Sequence, residues 1–282
     1  MRRIHSAQEA EALAALATAA LTLDVAEAPA LFTRLATPPP ERRWTALVAG
    51  RDDGVVFASI SGRDPSVGHI DLLAVHPRAQ GRGLGRALAE AAEDWLRAEG
   101  ATRVRLAGNP PCYAWPGIDV RATPAACLAE RLGYTHDGMA WNMTADLTRD
   151  LSAPVPPGVT VSTAAPGERG ELAAFVREHW TPEWAWEVEQ ATGCHYATRD
   201  GEILGFAAWG ARPAWFGPTG TAPAARGLGI GRVLLLRCLA EQRATGMTTA
   251  QIGWVGPLRF YSRAVGARAE RVFWQYARDL AT

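Results

Sequence analysis

The chain has 282 residues, 48% of them apolar, and its 29 basic side chains are matched by 29 acidic ones. That length suits about two domains, each with enough chain for a core of its own. Zero net charge speaks against nucleic acid as a partner, and every cation is an arginine, which excludes the lysine of a P-loop nucleotide enzyme.

Other classes fall away on pattern. Cys112, Cys127, Cys194 and Cys238 lie far apart without CxxC spacing, which reads as reduced thiols in a cytoplasmic chain. His69, His76, His136 and His195 show no ligand spacing, so no metal is expected. No run of 18 apolar residues occurs, so no membrane span is expected. Arg2 and Arg3 before an uncharged stretch loosely mimic a signal peptide. Leu13, Leu16, Ala20 and Leu23 instead share one helix face, which predicts an amphipathic first helix.

In chain order, the pattern predicts helices over 7–20 and 29–35, stopped by Pro38-Pro39-Pro40. Strands follow at 44–49 and 55–60, joined at Asp53-Gly54. A strand at 70–75 leads through a glycine-rich turn into a helix over 87–97, closed near Gly100. A strand at 103–107, a Pro/aromatic loop over 109–123, a short helix from Pro124 to Leu132 and a strand at 139–147 complete this half. Residues 151–158 (LSAPVPPG) read as a linker. The plan then repeats: a strand at 159–162, a helix over 168–180, a Trp-rich stretch at 184–188, and strands at 195–198, 203–209 and, more weakly, near Trp215. A helix over 232–244, a strand at 250–254, a short helix at 259–264 and a strand at 271–277 close the chain. Hairpins mixed with crossovers predict an α+β fold present twice, as domains at 1–150 and 159–282.

The repeat is sharpest at the glycine turns. Gln80-Gly81-Arg82-Gly83-Leu84-Gly85-Arg86 recurs 146 residues later as Arg226-Gly227-Leu228-Gly229-Ile230-Gly231-Arg232. Each lies between a strand and a helix. The first N–H groups of a helix lack intrahelical partners and favour an anion, and glycine lets a ligand reach the backbone. A dinucleotide fingerprint would need a third glycine where Leu88 and Leu234 stand, and the early βαβ context is missing. A ligand-free structural turn and a pyrophosphate cradle remain.

Both turns match the (Gln/Arg)-x-x-Gly-x-(Gly/Ala) signature of the GNAT N-acetyltransferase superfamily. LLAVHPRAQGRGLGRAL resembles that family's fourth strand, turn and third helix. AERLGY and RFYSRAVGA resemble its fourth helix. The resemblance covers nearly the whole chain. It implies two tandem domains, each a mixed, mostly antiparallel sheet flanked by helices, with a splayed central strand pair. It implies acetyl-CoA as the cofactor and a small-molecule amine as the acceptor, with direct attack on the thioester. The implied cofactor contacts are Leu73, Val75 and all seven residues of the first turn, then Thr221 and all seven of the second. An N–H near Val75 would polarise the thioester oxygen. Asn109, ending the fifth strand, is a further implied contact or a turn residue.

Two catalytic roles are implied: a carboxylate that deprotonates the ammonium and a tyrosine that protonates the leaving thiolate. Asp71 stands at the base position of the first copy, and Gly217 at that of the second. Ala129 stands at the acid position of the first copy. Tyr261 lies near it in the second, one residue out of register. The aromatics of 113–119 can wall a substrate or pack the fold. Trp180, Trp184 and Trp186, with Glu183 and Glu187, can form a pocket for a cationic amine or a core with solvated glutamates. The chain is expected as a monomer or homodimer. Two further readings stay open: an acyl-CoA-binding protein with one or both copies inactive, and a protein or peptide acetyltransferase.

Overall fold

The computed structural model describes residues 1–280. Contacts divide the chain into two units, one built from Met1–Ala140 together with the C-terminal stretch from Val272, the other from Trp141–Arg271.

In the first unit the elements are β1 (Arg2–Ile4), α1 (Ala7–Glu11), α2 (Ala14–Ala20), α3 (Ala28–Leu35), β2 (Trp44–Ala49), β3 (Gly54–Ile60), β4 (Val67–Val75), α4 (Leu84–Ala98), β5 (Arg103–Leu106), β6 (Ile118–Asp119) and α5 (Thr123–Arg131), followed by β7 (Thr135–Asp146). Ser6 caps α1 by accepting the Glu9 N–H. The helix expected over 7–20 breaks between Glu11 and Ala14; Leu13, at ψ 13°, is buried in the core. The strands pair antiparallel from β1 to β4, then β4 pairs parallel with β5. Leu88, Ala92 and Leu96 of α4 lie a turn apart and seal one face of the sheet against Val56, Ile70 and Val104. Each fully buried leucine contributes roughly 1.5–3 kcal/mol.

The second unit repeats the plan with β8 (Thr160–Thr163), α6 (Arg169–His179), α7 (Pro182–Gln190), β9 (Gly193–Arg199), β10 (Glu202–Trp209), β11 (Trp215–Thr221), α8 (Ile230–Ala244), β12 (Thr249–Ile252) and α9 (Leu258–Val265), followed by β13 (Arg268–Asp279). The Trp-rich stretch is the helix α7. Thr181 caps it by accepting the Trp184 N–H, and Pro182 occupies its first turn. β8 to β11 pair antiparallel and β11 pairs parallel with β12. The weak strand near Trp215 is thus a full strand; its Gly and Pro residues hid it from the pattern.

Contacts divide the chain after Ala140 and after Arg271, whereas the sequence expectation of domains at 1–150 and 159–282 places the break at the Pro-rich segment 151–158. Ala277–Asp279 of β13 pair with Arg103–Arg105 of β5, which places the end of the chain in the first unit. Met143–Asp146 of β7 pair with Thr249–Ile252 of β12, which places the end of the first repeat in the second unit. Leu151 is already in the second unit's core. Proline marks where the backbone cannot be regular, whereas a unit boundary is set by partners more than 100 residues away.

Both units open at their parallel pair. β4 and β5 stay together from Val67↔Arg103 to Ile70↔Leu106; β11 and β12 only at Trp215↔Gln251 and Phe216↔Ile252. Beyond Ile70 and Phe216, that edge of β4 or β11 has no pairing strand among the described residues. On the other edge a bulge follows at once. The register with β3 shifts between Ala58↔Ile70 and Phe57↔Leu72, leaving Asp71 as the extra residue. That with β10 shifts between Trp209↔Phe216 and Ala207↔Thr219. A bulge bends its strand and re-aims a side chain.

Candidate active site

The glycine turns are near copies in three dimensions. A short 3-10 turn precedes each, and the second glycine of each is the helix N-cap in the left-handed region, Gly83 at φ 82° and Gly229 at φ 84°. An L side chain costs roughly 1–2 kcal/mol there, so glycine is the residue that fits. Nothing lies within 4 Å of a Cβ placed on Gly81, Gly83, Gly227 or Gly229. The backbone of each turn is therefore bare at a helix N-terminus, a fit for a phosphate-bearing ligand. The leading residue of each turn ties it to the preceding strand: Gln80 Nε2 donates to Val75 O at 3.0 Å, and Arg226 Nε to Thr221 O at 3.4 Å. Leu73, Val75 and Leu84 are half-buried against the α4 core, and Ile230 is buried at the start of α8, so those side chains face inward. Leu228 is exposed.

The third glycines settle the register of the next helix. A Cβ on Gly85 would meet Leu128 Cδ2 at 3.1 Å, and one on Gly231 would meet Phe260 Cζ at 3.5 Å. Leu128 and Phe260 are thus counterparts, and so are the residues after them, Ala129 and Tyr261, both buried. The extra residue of the second copy falls between Tyr261 and Gly266, which ends α9. Tyr261 stands edge-on to Phe216, its ring centroid 6.1 Å away, where β11 leaves β12. Burial pushes its hydroxyl up to about 12.

In the second unit Arg232, Arg259, Phe260, Arg263 and Ala264 line a depression of about 400 Å³. Arg232 comes from the glycine turn; Arg259 and Arg263 are four apart on α9 and share a face. The glycine-turn motif includes only Arg232 of this cationic site, although the i,i+4 arginines are a legible signal. The first unit has Arg86, Cys127 and Arg131 at the same places, one charge fewer.

Asp71 is buried where β4 bulges and parts from β5. Ser59 Oγ donates to its Oδ2 at 2.6 Å, while Oδ1 has no hydrogen-bond partner. Burial pushes its carboxyl up to about 7, against the Ser59 hydrogen bond and the Arg42 charge, which both lower it. A carboxyl poised near neutrality in a strand gap can accept a proton. His69, on the same strand, bonds Ala107 O through Nδ1 at 2.8 Å, and burial takes it down to about 4, so it is neutral.

Asn109, the implied cofactor contact or turn residue, lies next to Ser59. It is buried, and its Nδ2 donates to Ser59 Oγ at 2.8 Å and Ile60 O at 3.4 Å. No motif or spacing marks Ser59, whose link to Asp71 depends on the strand register. The aromatic loop packs the first unit: Trp115 Nε1 donates to Asp24 at 3.0 Å, and Arg34 holds Pro111 O and Tyr113 O. Trp180 covers Gly220 and meets Phe206 edge-on at 5.2 Å; Trp184 and the buried Glu187 lie on the same helix pair. Those tryptophans take the core alternative. No helix among the described residues is long and apolar enough to cross a membrane.

A sequence model of the Acetyltransferase (GNAT) family matches residues 12–115 and again 163–266. Mycothiol acetyltransferase from Thermobispora bispora is 34% identical over 238 residues, covering 74% of this chain and 73% of that one. The protein of the same name from Thermomonospora curvata is 31% identical over 246 residues, covering 76% and 77%. In fold, the chain is similar to a tandem GNAT protein from the clavulanic acid biosynthesis pathway, with a TM-score of 0.72 at 19% identity over 100% of this chain and 99% of that one. Two glycine turns of one geometry, two splayed sheets and two matched segments have one reading: the chain belongs to the GNAT acetyltransferase family and is an acyltransferase with two of its domains in tandem.

Proposed function

We propose that the protein moves an acetyl group from acetyl-CoA to the primary amine of a small molecule. The observation that carries this reading is the pair of bare glycine turns, each at the open end of a splayed strand pair. Backbone N–H groups of the turn hold the pyrophosphate, and the strand gap takes the pantetheine chain. The amine nitrogen bonds to the thioester carbonyl carbon, the C–S bond breaks, and the sulfur leaves as a thiolate. Asp71 takes the proton from the ammonium in the first unit, directly or through water, and donors at the end of β4 polarise the carbonyl oxygen. In the second unit Gly217 stands in place of a base, and Tyr261 is the group that can protonate a thiolate. A small acceptor is supported by the relatives, which carry the name mycothiol acetyltransferase.

The test is binding, then turnover. Gly83→Glu and Gly229→Glu, made separately, put a carboxylate and a strained φ into one cradle each. Calorimetry with acetyl-CoA should show one site lost in each variant; unchanged binding in both rejects the cradle. Free coenzyme A should then accumulate with a panel of small primary amines. Release with peptides alone would transfer the acceptor to the protein class.

A further inference from the structure

We infer that Ser59 and Asn109 are positioning residues for Asp71: a directional hydrogen-bond relay fixes one carboxylate oxygen and leaves the other for the acceptor amine. The inference rests on Asp71 being the base.

The direction of the relay follows from its donors. An ionised carboxylate only accepts, so the single Ser59 proton goes to Asp71 Oδ2 at 2.6 Å. Ser59 Oγ then accepts from Asn109 Nδ2 at 2.8 Å. Asn109 is itself anchored, its side-chain amide reaching Ile60 O and its backbone carbonyl accepting from Arg42 Nη1 at 2.9 Å. Two buried polar groups, Ser59 directly and Asn109 behind it, thus hold Oδ2, and Oδ1 is buried without a partner. A buried acceptor without a partner costs about 1–3 kcal/mol, and on this inference the acceptor amine is the partner that Oδ1 takes.

The second unit separates a structural role from a functional one. Gly54↔Val75 and Gly205↔Thr221 are matching pairs, as are Ala58↔Ile70 and Trp209↔Phe216. Counting along these registers, Ser59 corresponds to Gly210 and Asp71 to Gly217. Ala107 and Gly253 donate to Ile70 O and Phe216 O respectively, so Asn109 corresponds to Val255. The second unit lacks all three relay groups and still forms the bulge and the splay. The relay is therefore dispensable for the fold, and its members are present or absent as a set.

The electrostatic setting is simple. Arg42 is the charged group that acts on Asp71. His69 on the same strand is neutral above about pH 4. β3 contributes no titratable residue, nor does α2, which packs on β4. Ile70 and Leu73, on either side of Asp71, pack in the core under α4. Arg105 of β5 is paired with Asp137 at 2.9 Å.

The experiment titrates the Asp71 carboxyl in the full chain by infrared difference (wild type minus Asp71→Asn) and repeats it in Ser59→Ala, Ser59→Thr and Asn109→Ala. Losing a hydrogen bond to the charged form makes that form harder to reach. The midpoint should therefore rise by about one pH unit in Ser59→Ala, and less in Asn109→Ala. The acidic limb of kcat/KM should move with it, lowering the value at pH 7 by about fivefold while KM for acetyl-CoA stays constant. Ser59→Thr keeps the hydroxyl and should restore both. An unmoved midpoint in Ser59→Ala, with Asp71→Asn inactive, overturns this inference alone. Full turnover by Asp71→Asn overturns the base assignment and this inference with it.

Discussion

Asp71→Asn is expected to stabilise the protein while disabling it. The carboxyl goes from an ordinary value of 3.8 to about 7 on folding, with burial as the main cause. Between those values the folded chain keeps a proton that the unfolded chain has released. Stability therefore falls as pH rises from about 4 to about 7, and the loss is complete above the folded value. At about 1.4 kcal/mol per pH unit, the full penalty for ionising Asp71 is at most roughly 4.5 kcal/mol. Asparagine has the same shape and no charge, and its amide can still engage Ser59. Urea unfolding of both proteins at pH 5, 6, 7 and 8 should show the variant's advantage growing with pH and levelling off above about 7. Buried charge recruits water and relaxes its surroundings, so a plateau of about 2 kcal/mol already satisfies the argument. Parallel stability profiles would refute it, because they would mean that Asp71 ionises in the folded protein as freely as in the unfolded chain. Acetyl transfer by the variant should fall roughly 100-fold or more, the usual loss on removing a general base.

Two further outcomes concern the second unit. Tyr261→Phe removes only the hydroxyl and keeps the ring against Phe216. Turnover should drop about tenfold or more with acetyl-CoA affinity unchanged, and steady-state kinetics showing an unaltered kcat would remove the residue from the mechanism. Arg259→Ala and Arg263→Ala should each weaken acetyl-CoA binding about tenfold and flatten its salt dependence. Calorimetry in the Gly83→Glu background, where only the second cradle remains, checks this; an unchanged Kd means that the depression on α9 holds no phosphate.

The sequence by itself determined the parts whose cause is local. A left-handed helix cap needs glycine, so Gly83 and Gly229 stand out, and their repetition 146 residues apart reveals the doubled domain. The distance from turn to strand is fixed as well, which is why Asp71 and Gly217 could be matched without coordinates. Tertiary structure decided what depends on distant partners. β7 and β13 complete sheets outside their own repeats because pairing is satisfied by whichever edge lies alongside, and a proline-rich linker carries no information about that edge. Tyr261 is aligned with Ala129 by what packs beneath two glycines, whereas counting back from the helix end misplaces it by one residue. Ser59 and Asn109 are 50 residues apart and meet at Asp71 only through a bulge. The alternation of β3 has no feature that predicts this, because a hydrogen bond across strands depends on register, and register is set by the packed sheet.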